Sequence, residues 1–358
     1  MPEPLKNLYT PELIKALSEQ VKIQYCDFDD SSFTAHVFDD DWESKELKER
    51  MKHISESLHH YLPANYLEAI QILIPVSSNF SGFEYMFFPG FVELYGLDEY
   101  ETSIDALEFF TQYSSSEFAV RPFIIKYGNK MVAQIALWAE SENHHVRRLA
   151  SEGCRPRLPW AMALPDFKQD PSPILPILAK LKNDNSEYVR RSVANNLNDI
   201  SKDNPHLVIE LARTSLGYSL KTDWLIKHAC RTLLKQGHTD VMVLFGFPKP
   251  EHIEIVEFKL QNIVEMGESL EFSFRLISRQ QALGKLRLEY AIDFYKKNGS
   301  LSRKVFKISE SDVKGNSKTV VKFHSFKAIS TRKYYSGNHA LSVIANGQEL
   351  ASLGFQVT

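Results

Sequence analysis

The sequence predicts a multidomain α and β protein, with an N-terminal all-α solenoid of helical repeats followed by a C-terminal all-β sandwich. Three observations carry this reading. Four helix-like runs recur between residues 117 and 243. Beyond Gly246 the apolar residues alternate with period two instead of following a helical spacing. The chain has 358 residues, and single hydrophobic cores rarely exceed ~250 to 300.

The first segment, to residue 114, is helical by its apolar spacing in PELIKALSEQVKI and SKELKERMKHISESLHHYL. It is also strongly acidic, with 7 Lys+Arg against 21 Asp+Glu. FDDDW (Phe38 to Trp42) holds three consecutive acids, which do not make the spaced ligand loop of a calcium site. They read as an N-cap or a solvated loop. Residues 115–235 carry 18 bases against 12 acids and residues 236–358 carry 17 against 12. A net charge of −3 therefore conceals a basic latter two-thirds, which suits either a nucleic-acid partner or an ordinary solvated surface.

The repeat begins with FAVRPFIIKY, HHVRRLASEG, EYVRRSVANN and WLIKHACRTL, which put Val120, Val146, Val189 and Ile226 in equivalent places. Their spacings are 26, 43 and 37 residues, the latter two near the period of HEAT and armadillo units. DFKQDPSPILPILAKL and SKDNPHLVIELAR supply partner helices, with Pro near a helix start. Stacked pairs make a HEAT-like solenoid with a concave face. GFPKPE (246–251) reads as a linker. The runs from HIEIVEFKL to HALSVIANGQELASLGFQV then give about seven short strands, the number of an immunoglobulin-like sandwich. The expected domains are 1–245, helical, and 252–358, immunoglobulin-like.

Cys26, Cys154 and Cys230 are odd in number and far apart, and read as buried fillers; neither Cys nor His shows metal-ligand spacing. No metal and no cofactor are expected. No apolar run approaches the ~18 residues of a membrane span and no basic-then-apolar leader opens the chain, so a cytoplasmic, non-membrane protein is expected.

The repeat helices differ at their polar positions. Arg148 and Glu152 are four residues apart on one face, and Arg191, Asn195 and Asp199 continue a stripe at i, i+4 and i+8. His228 aligns with the two arginines, Glu117 heads the earlier helix, and Trp160 follows the basic pair Arg155 and Arg157. Parallel stacking would bring these residues to a common groove. Arg148, Arg191 and Asn195 could equally bond neighbouring repeats, and Trp160 could cover the core. Two carboxylates, Glu117 and Glu152, held in a basic groove suggest a use for their charge.

SSSEFAVRPFI, HHVRRLASEGCRPRLPW, EYVRRSVANNLNDISKDNP and WLIKHACRTLLKQGH closely resemble the AlkC branch of the AlkC/AlkD DNA alkylation repair glycosylases, over residues 1 to about 245. The β domain resembles the immunoglobulin-like extension of a subset of that branch. The resemblance implies a glycosylase of base excision repair that holds alkylated duplex DNA in its groove; a monomer is expected. It would release cationic lesions such as 3-methyladenine and 3-methylcytosine. It places Glu117, Glu152, Asp199 and Trp160 in the active site. Arg148, Arg155, Arg157, Arg190, Arg191, Asn195, His228 and Arg231 would then contact DNA. The contrasting expectation is a non-catalytic helical scaffold, since fold does not settle function.

Overall fold

The computed structural model describes residues 3–279, 281–329 and 332–358. The acidic segment forms α1 (Pro11–Gln24), α2 (Asp30–Val37), α3 (Leu47–Tyr61), α4 (Tyr66–Ser77), α5 (Phe87–Tyr95) and α6 (Tyr100–Phe110). Both helices expected there are present. Thr10 caps α1 by accepting the Leu13 N–H at 3.3 Å, with Pro11 at the first helical position. Glu49 closes the start of α3 by accepting the Glu46 N–H at 2.7 Å. The FDDDW stretch is the loop before α3, where Asp39 accepts from Lys45 Nζ at 2.7 Å and from the Asp41 N–H at 3.1 Å.

Ten helices follow: α7 (Val120–Tyr127), α8 (Asn129–Trp138), α9 (His144–Glu152), α10 (Pro165–Gln169), α11 (Leu175–Leu181), α12 (Glu187–Ile200), α13 (Pro205–Ser215), α14 (Leu220–Ala229), α15 (Arg231–Lys235) and α16 (Thr239–Leu244). Val120, Val146, Val189 and Ile226 are all buried, so the repeat position is a core position. Helix α9 packs on α12, and α12 packs on α14. Polar groups lock the first of these contacts: Ser151 and Ser192 hydroxyls meet at 2.7 Å, and Asn196 donates to the Ser151 carbonyl at 2.8 Å.

Two runs differ from the sequence expectation. WLIKHACRTL breaks at Cys230, whose φ of −83° and ψ of 4° lie outside the helical well, so it yields α14 and α15. DFKQDPSPILPILAKL supplies the expected partner helix as α11, with Pro at its start, and adds the short α10 before it, because Pro171 and Pro173 offer no N–H to continue a helix.

The chain forms two compact units. One runs to Val208 and includes Ser215–Ala229, and the other holds Ile209–Thr214 and Cys230 onward. The second contains β1 (Ile253–Leu260), β2 (Ile263–Val264), β3 (Ser269–Ser278), β4 (Gly284–Tyr295), β5 (Leu301–Val313), β6 (Ser317–Ser325), β7 (Gly337–Ala345) and β8 (Gln348–Val357). The sheets have the orders β1-β3-β6 and β2-β8-β7-β4-β5. Alternation in β3 turns Leu270, Phe272, Phe274 and Leu276 into a core shared with Leu288, Ile292, Leu341 and Val343. The β7–β8 turn is Asn346-Gly347, both at positive φ (44° and 80°). Asn346 Oδ1 accepts the Arg287 N–H at 2.7 Å, and its amide donates to the Pro248 carbonyl at 2.8 Å.

Cys154 and Cys230 are buried as expected, and burial pushes both thiols up to about 12. Cys26 is exposed, contrary to that expectation. No helix among the described residues is long and apolar enough to cross a membrane.

Candidate active site and nucleic-acid interface

The polar positions of the repeats form one chain of alternating charge. Glu117, in the segment entering α7, accepts from the Ser115 hydroxyl at 2.8 Å and is paired with Arg148 of α9. Arg148 also stands 3.6 Å from Glu152 Oε1, one helical turn along α9. Arg155 donates to the same Oε1 at 2.6 Å and, through Nε, to Asp199 of α12 at 2.8 Å. Lys202 ends the chain on Asp199 Oδ1 at 3.0 Å.

Burial would normally neutralise an acid such as Glu152, and here the cations prevent it. Glu152 is only 4% exposed, which works to raise its pKa, yet Arg148 and Arg155 outweigh burial and hold it below the usual carboxylate value. Burial likewise opposes the charge on Arg148, and Glu152 and Glu117 overcome it. One acceptor is left over. Glu152 Oε2 is buried and makes no hydrogen bond among the described residues.

Trp160 sits on a loop from Pro156 to Leu164 closed by the Leu164 N–H donating to the Pro156 carbonyl at 3.1 Å. Its φ is +64°, a left-handed conformation uncommon for a bulky residue, and the residue is 62% exposed. The alternative of a core-covering tryptophan is therefore corrected. Arg121 ties this loop to the carboxylates: it donates to the Met162 carbonyl at 2.7 Å and to the Gly153 and Arg155 carbonyls at 2.9 Å each. Lys48 holds the Trp160 carbonyl from the other side at 2.8 Å. Backbone strain at an exposed aromatic is a recurrent property of functional loops.

A second, exposed group lies farther along α12 and α14. Arg191 pairs with Glu187 at 2.7 Å and lies 5.6 Å from the Trp224 ring, which stacks on His228 at 5.3 Å and 17°. His228 and Asn195 meet at 3.0 Å. Tyr188 lies over Arg148, with the guanidinium carbon 5.0 Å from its ring centroid. Arg157, partly exposed, makes a fork to Asp203 at 2.6 and 3.0 Å.

Other placements correct the expected set of phosphate contacts. Arg155 is buried, bridging two acids. Arg190 is buried too, and its Nη1 donates to the Asp184 and Asn185 carbonyls at 2.6 and 2.9 Å, which braces the turn before α12. Arg148 is largely enclosed, with both branches engaged by acids. Arg231 is half-buried at the start of α15 and belongs to the second unit. Nor do Arg191, Asn195 and Asp199 share one surface stripe, since they run from exposed to half-buried to buried. An α-helix turns by about 80° beyond whole turns over eight residues, and that drift carries Asp199 inward.

Trp224, Tyr188, Arg121, Lys202 and Ser115 complete these groups and were not singled out in the sequence. Trp224 had a signal, its i, i+4 spacing to His228. Arg121 and Ser115 act through backbone carbonyls and short contacts that no spacing shows.

Comparison with known proteins gives a consistent assignment. Residues 98–233 match the model of the DNA alkylation repair enzyme family, and residues 254–358 match that of the C-terminal Ig-like domain of the uncharacterised protein YhaZ. The chain is 50% identical over 355 residues to the uncharacterized protein YhaZ of Bacillus subtilis (strain 168), covering 99% of each. It also superposes on the Pseudomonas fluorescens alkylpurine DNA glycosylase AlkC, solved with DNA containing an abasic site analog. The TM-score is 0.93 and the identity 35%, over 99% of this chain and 100% of that one. The chain belongs to the AlkC-type DNA alkylation repair enzymes. In this AlkC-type chain the repair-enzyme match runs from α6 through α14 into α15, so it contains the whole ion-pair chain and the Trp160 loop. The immunoglobulin-like match starts at the second residue of β1 and takes in the remaining strands.

Proposed function

We propose that this DNA glycosylase hydrolyses the N-glycosidic bond of cationic alkylated bases, 3-methyladenine and 3-methylcytosine, in duplex DNA. The observation that carries the reading is the chain from Glu117 to Lys202, which pairs three acids with cations in a protected place, holds Glu152 ionised and leaves its Oε2 without a hydrogen-bond partner among the described residues. A base methylated at a ring nitrogen is positively charged and departs with the bonding electron pair as a neutral molecule, so no general acid is needed. What must be stabilised is the oxocarbenium-like sugar. Fixed carboxylates do this without reorganising, and one of them can hold the attacking water. Trp160, projecting from its strained loop, offers a π face to the deoxyribose as its charge develops.

Arg191, His228, Asn195 and Arg157 supply the DNA contacts within the helical unit, with Trp224 as a stacking surface; such phosphate contacts position a duplex without reading its sequence. Arg148 and Arg155 act as positioning residues for the acids. The helical region, 1–245, carries the chemistry, and the β domain, 252–358, joined through 246–251, adds DNA contacts through Arg332, Lys333 and the β5 residues Arg303, Lys304 and Lys307. These last three lie on a strand, where Arg303 donates to Asp293 at 3.1 Å and Lys307 to Glu310 at 2.8 Å. The protein acts as a monomer in the cytoplasm. The experiment is release of free base from methylated DNA by the purified chain. Release by the parent that falls steeply in Glu152→Gln supports the assignment; no release by the parent overturns it.

A further inference from the structure

Trp160 stands at φ +64°, where its Cβ crowds a backbone carbonyl oxygen, so groups outside the loop must hold the conformation. Three such groups meet the loop. Arg121, fully buried, donates to the Met162 carbonyl at 2.7 Å. Lys48, in the first turn of α3, donates to the Trp160 carbonyl itself at 2.8 Å. Phe83, which opens a short 3-10 turn over Phe83–Met86, meets the Trp160 ring edge-on, with 6.3 Å between centroids and 68° between planes.

Two of the three come from the acidic N-terminal segment. Lys48 and Phe83 both precede residue 98, where the repair-enzyme match begins. The Lys48 ammonium also lies 5.2 Å from the ring centroid of Phe118, the chain neighbour of Glu117. One cation thus touches both the Trp160 loop and the segment that carries the outer carboxylate. A charge-assisted hydrogen bond onto the carbonyl of a strained residue fixes its peptide plane, and that plane sets the direction in which the indole projects. Phe83 then limits the ring from the side.

We propose that Lys48 and Phe83 are positioning residues, through which the N-terminal segment holds Trp160 against the deoxyribose during glycosidic cleavage. The proposal rests on the glycosylase reading, with Trp160 beside the sugar. A π face stabilises a developing cation only at short range and in a fixed orientation. Loosening either tether therefore slows cleavage, while the DNA contacts of Arg157 and Arg191 stay in place. The lysine acts through a main-chain oxygen and an aromatic ring, so its role differs from that of a phosphate contact.

The test is single-turnover release of 3-methyladenine from duplex DNA at saturating enzyme, measured together with DNA affinity on the full chain. Lys48→Met and Phe83→Leu should each lower the saturated rate about five- to tenfold, the scale of one lost charge-assisted hydrogen bond or ring contact. Affinity should change by less than about twofold. Lys48→Arg keeps a donor and should restore most of the rate. In a Trp160→Ala background Lys48→Met should lower the rate no further. Labelling with 5-fluorotryptophan gives a fluorine resonance for each of Trp42, Trp138, Trp160 and Trp224. The Trp160 line, identified by its loss in Trp160→Ala, should move more than the other three in both tether variants. Thermal melting confirms that each variant is folded. Weaker affinity at an unchanged saturated rate makes Lys48 a phosphate contact and overturns the proposal, as do additive losses in the double variant or an unmoved Trp160 line. A Trp160→Ala chain that cleaves like the parent removes Trp160 from the chemistry and the proposal with it, and leaves the glycosylase; no release by the parent removes both.

Discussion

Each acid of the ion-pair chain has a distinct environment, and the residue-scale predictions follow from that. Glu152→Gln keeps the shape but removes the charge that Arg148 and Arg155 sustain, and Glu117→Gln does the same at the outer end. Each should lower single-turnover excision by about two to three orders of magnitude. Parent-like rates in both variants would show that the carboxylates do not touch the reaction. Arg155 and Arg191 should separate stability from binding. Arg155→Ala leaves Glu152 and Asp199 buried without their shared cation, a loss of about 3 to 5 kcal/mol in denaturant unfolding. Arg191→Ala removes an exposed group and should change stability by less than about 0.5 kcal/mol while reducing DNA affinity. An Arg191→Ala chain that binds DNA like the parent would remove that surface from the interface.

At the scale of the element, β4 and β6 enclose a histidine that should make the β domain acid-sensitive. His324 of β6 is buried, shares a hydrogen bond of 2.9 Å with the Tyr290 hydroxyl, and is depressed to about 4 by burial and by Arg332. The unfolded chain takes up this proton near the ordinary value of 6.5, so the native state is favoured above that pH. The advantage falls as pH drops from 6.5 toward 4, by about 3 kcal/mol in full. Unfolding followed at pH 7 and pH 5 should show a loss that His324→Gln reduces, with buried His339 contributing in the same direction; an equal pH dependence in both chains would contradict it. The helix elements were legible where propensity and apolar spacing agree, as in α1, α3, α9 and α12. The break at Cys230 was not, because WLIKHACRTL has continuous helical spacing and only packing sets its backbone angles.

Over the whole molecule, acids concentrate before residue 115 and bases after it, which gives opposite local charge to a chain of net −3. DNA binding through the basic portion should weaken steeply with salt, and Arg191→Ala should reduce the slope of log affinity against log salt by about one. Affinity unchanged between low and moderate salt would sink the duplex interface. Lesion choice belongs to this scale as well. Without a general acid aimed at the base, departure depends on the lesion's own charge, so excision of 3-methyladenine should far exceed that of uracil and should persist with a chelator. Comparable uracil release, or loss of activity with chelator, would show that a proton donor or a metal takes part.

The sequence by itself determined the two-part architecture, the repeat positions Val120, Val146, Val189 and Ile226, and the residue types of the candidate site. Periodicity and composition are local properties, and those features depend on little else. The tertiary structure decided which arginines are surface groups and which are internal braces, because Arg148, Arg155, Arg157, Arg190 and Arg191 are chemically identical and differ only in what packs around them. It also decided that Trp160 is exposed on a left-handed backbone and that Arg121 anchors its loop. Both depend on contacts between residues tens of positions apart, made only when α7, α9 and α12 come together.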